Sequence, residues 1–186
     1  AFMKVGVCSW SLCPEGPDDL IEKVRATGVN SVQLALDPIR TDWGVGALTQ
    51  IREAGIEILS GMMAMEGEDY STLETIRVTG GVRPDESWDR NLVCAAENAR
   101  IAAAAGISLV TFHAGFIPHD VDNPERDKMI ERLVTFAGTF NDVGCRVALE
   151  TGQETAETLL SVLDAICLPD VGVNFDPVNM ILYGMG

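Results

Sequence analysis

Six short, β-branched, almost wholly apolar runs alternate with longer amphipathic stretches along the whole chain. The runs are Lys4–Cys8, Ser31–Leu36, Ile56–Met63, Ile107–His113, Cys145–Glu150 and Val171–Asp176. Strands that are apolar nearly throughout, rather than on alternate residues, belong to parallel sheets covered on both faces. The stretches between them carry helical signals. Pro17–Thr27 places a proline in its first turn and ends at Gly28, and Val45–Ala54 ends at Gly55. Ser87–Ala105 is Ala-rich, with Ser87 as its expected cap. Asn123–Val143 opens with a capping Asn and a proline, and Thr155–Ile166 follows the fifth strand. The connection from Ala64 to Glu86 is too long for an idle loop and is expected to be functional or mobile, with a short helical turn near Leu73–Arg77.

Six such units in 186 residues average 31 residues each. Two α/β architectures fit this rhythm: an open doubly wound sheet or a (β/α)8 barrel. A complete barrel needs about 250 residues, so on that reading residues 1–186 form a single incomplete barrel domain.

Composition narrows the function. Thirteen Lys and Arg against 28 Asp and Glu leave a net charge of −15. Such a surface repels a phosphate backbone, so nucleic acid is not an expected partner. No apolar run reaches the roughly 18–20 residues that span a bilayer, and the N-terminus shows no secretory pattern. Ala1 and Phe2 read as residues upstream of a start methionine. The five cysteines are odd in number and fit no CxxC spacing, which favours a reduced cytoplasm. No GxSxG, HExxH, Walker A or complete dinucleotide fingerprint occurs.

Polar residues gather where the strands end. The first strand runs into Ser9, Trp10 and Ser11. The second carries Gln33 and runs into Asp37; the third runs into Met62, Met63 and then Glu66. The fourth ends at His113, the fifth at Glu150 with Gln153 and Glu154 beyond, and the sixth at Asp176 with Asn179 beyond. Parallel α/β folds bind ligands at the carboxyl ends of their strands. Singly, Glu150 also reads as a solvated or amide-paired strand end, and Asp176 as the start of an Asp-Pro turn. Together, on neighbouring strands, they read as two oxygen ligands of a divalent ion.

Five segments, CSWSL (8–12), MMAMEGEDYSTLETIRVTGGVRPDESW (62–88), TFHAGF (111–116), LETGQE (149–154) and NFDPVNMILYG (174–184), give the chain a resemblance to the sugar phosphate isomerase/epimerase family. That resemblance implies the xylose isomerase-like TIM barrel and a divalent metal, Mn, Co, Mg or Zn. It implies an isomerase or epimerase that moves a proton next to a carbonyl polarised by the metal. Glu150 and Asp176 match two of the family's four ligands, with Glu150 also the acid/base group. The remaining His and Glu belong to a seventh and an eighth strand. His113, Gln153, Asn179 and Trp10 are the expected contacts to a small sugar substrate. Asn179 departs from the family, whose members often carry a His there. Two alternatives stand beside this reading: an apurinic endonuclease-like metal hydrolase of the same fold, which needs more than two His, and an inactive fragment that binds a sugar or a partner chain. An incomplete barrel would expose apolar edges, so a homo-oligomer is also expected.

Overall fold

A computed structural model describes residues 3–184; Ala1 and Phe2 lie outside them. Six strands form one sheet: β1 (Val7–Cys8), β2 (Ser31–Ala35), β3 (Glu57–Met62), β4 (Leu109–His113), β5 (Arg146–Glu150) and β6 (Val171–Asn174). All neighbours are parallel and the spatial order is the sequence order, β1 to β6. This settles the architecture. A doubly wound sheet reverses its strand order at a switch point, whereas a sheet that always steps the same way belongs to a barrel. Right-handed crossovers, the rule between parallel strands, place the helices of a sheet wound in this order on one side.

Those helices are α1 (Ser9–Leu12), α2 (Pro17–Ala26), α3 (Gly46–Glu53), α4 (Leu73–Thr79), α5 (Asp85–Ala104), α6 (Pro124–Asn141), α7 (Ala156–Ile166) and α8 (Pro177–Leu182), with a π-helical turn over Ile39–Trp43. Helix α6 packs on α5, α7 and β5. Strands β4 and β5 are buried on both faces, which explains their continuous apolar sequences. One core unites both layers: Phe112 of β4 lies 4.4 Å from Phe136 of α6, and Phe136 lies 5.6 Å from Phe140.

The local signals mostly act as expected. Asn123 caps α6 by accepting the Glu125 N–H at 2.9 Å, and Pro124 follows in the first turn. Ser87 is not the cap of α5. The helix starts two residues earlier, at Asp85, where Asp85 and Glu86 face the positive end of the helix dipole. Asp85 is held there by Lys128 at 3.1 Å and Arg132 at 2.5 Å. The turn expected near Leu73–Arg77 is α4, closed by a capping box in which Thr72 and Thr75 exchange side-chain and backbone hydrogen bonds.

All five cysteines are free; Cys13 and Cys167 are exposed, Cys94 and Cys145 buried. Burial pushes the Cys145 thiol up to about 11 and raises Cys94 as well. A thiol reagent is therefore expected to label Cys13 and Cys167 in the native protein and Cys94 and Cys145 only after unfolding, as peptide mass mapping will show. Among the described residues, no helix is long and apolar enough to cross a membrane.

Candidate active site

Every strand delivers a side chain to one cavity of about 460 Å³: Cys8, Gln33, Met62, His113, Glu150 and Asn174, each at or near its strand's carboxyl end. The register produces this convergence. Cys8 pairs with Gln33, His113 with Glu150, and Glu150 with Asn174 across successive strands. Trp10, Asp176 and Asn179 complete the wall from the segments that follow β1 and β6.

Glu150 ends β5 and its carboxyl is held above the usual carboxylate range. Burial is the first cause, followed by the neighbouring Asp176 charge; His113 pulls the other way and Glu68 adds a further push upward. Asn174 donates to Glu150 Oε1 at 3.4 Å. Asp176 has two roles. Its Oδ1 caps α8, accepting the N–H groups of Val178 at 2.8 Å and Asn179 at 3.2 Å, which is the turn-starting function legible in Asp-Pro. Its other oxygen takes no part in that cap. Thr151 fixes the Asp176 backbone from both sides: its hydroxyl accepts the Asp176 N–H at 2.7 Å and donates to the Asp176 carbonyl at 3.1 Å.

Two carboxylates on neighbouring strand ends, one destabilised by the other, form an oxygen donor set suited to a hard divalent cation. Among the described residues, no group of three or more His, Cys, Asp and Glu side chains is placed to hold a metal ion.

Gln153 does not join the other expected contacts. Its amide donates to the Ile117 carbonyl at 3.1 Å and to Glu154 at 2.8 Å, while its oxygen meets His119 Nε2 at 2.9 Å. All its polar atoms are engaged in bracing the loop after β4 against the loop after β5. Asp37 and Glu66 likewise turn elsewhere: Asp37 accepts from Asn98 and the Ala64 N–H, and Glu66 pairs with Arg90.

The carboxylate that the connection between β3 and α5 does bring to the cavity is Glu68, whose side chain is 4 % exposed. It accepts the Gly81 N–H at 2.9 Å, the Met65 N–H at 3.2 Å and the Tyr70 hydroxyl at 3.2 Å. These bonds hold the connection together, and the Val82 N–H ties it to the end of β4 by donating to the Ala114 carbonyl at 3.1 Å. Gly81, at φ +66°, sits so close to the end of β4 that a Cβ would lie 2.1 Å from the Ala114 carbonyl and the Gly115 nitrogen. A Cβ on Gly80 would stand 3.2 Å from the His113 ring. The Gly80-Gly81 pair was the available signal, since two glycines in a polar loop mark a close backbone approach as well as a turn. Aromatic rings line the same side, with Phe116 and Tyr183 edge-to-face at 5.1 Å and His113 and Phe116 at 6.1 Å.

An in-order parallel sheet with an acidic cavity at its carboxyl ends defines a barrel enzyme-type scaffold. The chain belongs to the xylose isomerase-like TIM barrel family, whose sequence profile matches residues 21–186. Among solved structures it resembles a xylose isomerase domain protein from Planctomyces limnophilus (27% identity, TM-score 0.84), covering 100% of this chain and 67% of that one. It also resembles 3-keto-D-glucoside 4-epimerase from E. coli (14% identity, TM-score 0.73, 100% and 72% coverage). A third is a xylose isomerase-like TIM barrel protein from Mycobacterium smegmatis solved in complex with magnesium (15% identity, TM-score 0.67, 94% and 64% coverage). The chain spans about two thirds of the length of these structures. No curated protein matches it by sequence.

Proposed function

We propose that this chain belongs to a metal-dependent isomerase or epimerase acting in the cytoplasm on a small sugar or sugar phosphate. The observation that carries the reading is the meeting of Glu150, Asp176 and His113 in one cavity, with the Glu150 carboxyl held up by burial and by the Asp176 charge. Glu150 and Asp176 would hold a divalent cation, whose charge would favour negative charge developing on a substrate carbonyl oxygen. The resemblance assigns the two remaining ligands, a His and a Glu, to residues outside 1–186, and residues 1–186 to a single incomplete barrel domain.

The chain's own groups do the rest. Glu150 is placed to take a proton from the carbon next to that carbonyl and return it. His113 and Asn179 are polar walls for the substrate hydroxyls, and Trp10, half exposed at the cavity, offers an apolar face to the sugar ring. The relatives support the class: one is an epimerase of a ketosugar and another was solved with magnesium.

The test is turnover in D2O of a panel of ketopentoses, ketohexoses and their phosphates, with Mn²⁺, Co²⁺ or Mg²⁺ added. Metal-dependent incorporation of one deuteron next to the carbonyl is expected. Turnover without deuterium would replace proton transfer by a hydride shift, and no turnover of any member by a chain carrying all four ligands would overturn the proposal.

A further inference from the structure

His113 has a buried ring nitrogen without a hydrogen-bond partner. Its Nδ1 is buried and makes no hydrogen bond, in a residue only 6 % exposed. An orphaned ring nitrogen at that depth is unfavourable unless something nearby answers it. The group that faces it is Glu68, whose Oε1 stands 3.6 Å away. Glu68 cannot turn aside, because Gly81, Met65 and Tyr70 all donate to its two oxygens. All three are donors, so the carboxylate is held as an acceptor, and only a protonated Nδ1 suits it. The Nε2 side of the ring points the other way, toward Gly152, where a Cβ would lie 3.6 Å from it.

We infer that Glu68 is a positioning residue for His113: it keeps the imidazole in its Nδ1–H form and leaves Nε2 bare as a hydrogen-bond acceptor for a substrate hydroxyl. The ligand part of this rests on the sugar reading above; the Glu68–His113 relation does not. A carboxylate behind an imidazole fixes both tautomer and ring orientation wherever a His must present one defined nitrogen. Here that carboxylate comes from the connection between β3 and α5, so docking of that connection and readiness of the site become one event.

The chain has two histidines, and the structure assigns them opposite forms. His119 Nε2 faces Gln153 Oε1 at 2.9 Å, and its Nδ1 faces the Thr158 hydroxyl at 2.8 Å. Gln153 spends its amide donors on Ile117 and Glu154, so its oxygen must accept, and His119 carries its proton on Nε2. Long-range ¹H–¹⁵N correlation spectra of the ¹⁵N-histidine-labelled protein at mildly alkaline pH read both rings at once. The wild-type protein should show His113 as Nδ1–H and His119 as Nε2–H. In Glu68→Gln, the His113 pattern should lose its Nδ1–H character while His119, as an internal control of folding, keeps its own. A wild-type His113 protonated on Nε2 overturns the inference even if the variant fails to fold, as does an unchanged His113 in a folded Glu68→Gln. Absence of sugar turnover would remove the functional reading without altering these spectra.

Discussion

Replacing Glu150 by Gln should lower sugar turnover by roughly 10²–10⁴-fold, the range expected for losing a positioned proton-transfer group. The amide keeps the size and the contact with Asn174 while removing both basicity and one of two anionic ligands. Initial-rate kinetics at saturating metal separate these effects: a deficit that persists when metal is in excess belongs to proton transfer. The same substitution should have the opposite effect on stability in the metal-free protein. The Glu150 carboxyl is raised above its ordinary 4.5, by burial first and by Asp176 second. A carboxyl raised by folding binds its proton more tightly in the folded state. That contribution is complete below the unfolded value and is lost as pH rises through the folded value, so at neutral pH ionised Glu150 opposes folding. In the presence of a chelator, Glu150→Gln should therefore melt higher than wild type at neutral pH, and the gap should close as pH falls below about 4. A wild-type protein that melts higher at neutral pH would show that the Glu150 charge is answered by a group other than a metal.

Gly81→Ala should be the most damaging single-methyl change in the molecule, costing about 3–5 kcal/mol. Two penalties coincide there. The backbone is at φ +66°, and the new Cβ would lie 2.1 Å from backbone atoms of Ala114 and Gly115, which cannot rotate away. Gly28→Ala is the matched control, with φ +81° and nothing within 4 Å, so only the conformational penalty of about 1–2 kcal/mol applies. Urea unfolding of both variants measures the difference. Relief of the clash requires the Gly81 turn to lift from the end of β4, which would break the Val82 N–H bond to the Ala114 carbonyl. Gly81→Ala should therefore also loosen the cavity wall, and an equal cost for the two variants would mean that this connection is not docked as described.

The six strands were legible because each is a continuous apolar run, and burial on both faces of β4 and β5 is what such runs require. Periodicity alone left the winding open; strand order is a property of how units pack, and it decided for the barrel. The cavity was legible in part for the same reason. Residues that end strands are placed by the strands themselves, so Glu150 and His113 could be located from sequence, and Asp176 follows β6 closely. Gln153, an expected substrate contact, stands outside the cavity lining. Past the end of β5 the chain turns toward Ile117 and His119, a direction that no local pattern encodes. Glu68 was invisible for the complementary reason. Its neighbours Gly81 and His113 lie 13 and 45 positions away, and only the docking of an irregular connection makes a buried acceptor of what reads as one more acidic loop residue.

The sequential winding of the sheet also bears on how the protein is made. Each strand hydrogen-bonds only to the strands of the units before and after it. A chain emerging from the ribosome can add each new βα unit to the growing edge of those already formed, much as a repeat protein propagates from its neighbours. Few structural ties violate this order; one is Gln33 reaching Thr111, 78 positions along. The cavity cannot form so gradually, since it draws one side chain from every strand. Assembly in this order is progressive for the sheet and late for the cavity, whose lining is complete only after the last contributing strand has docked.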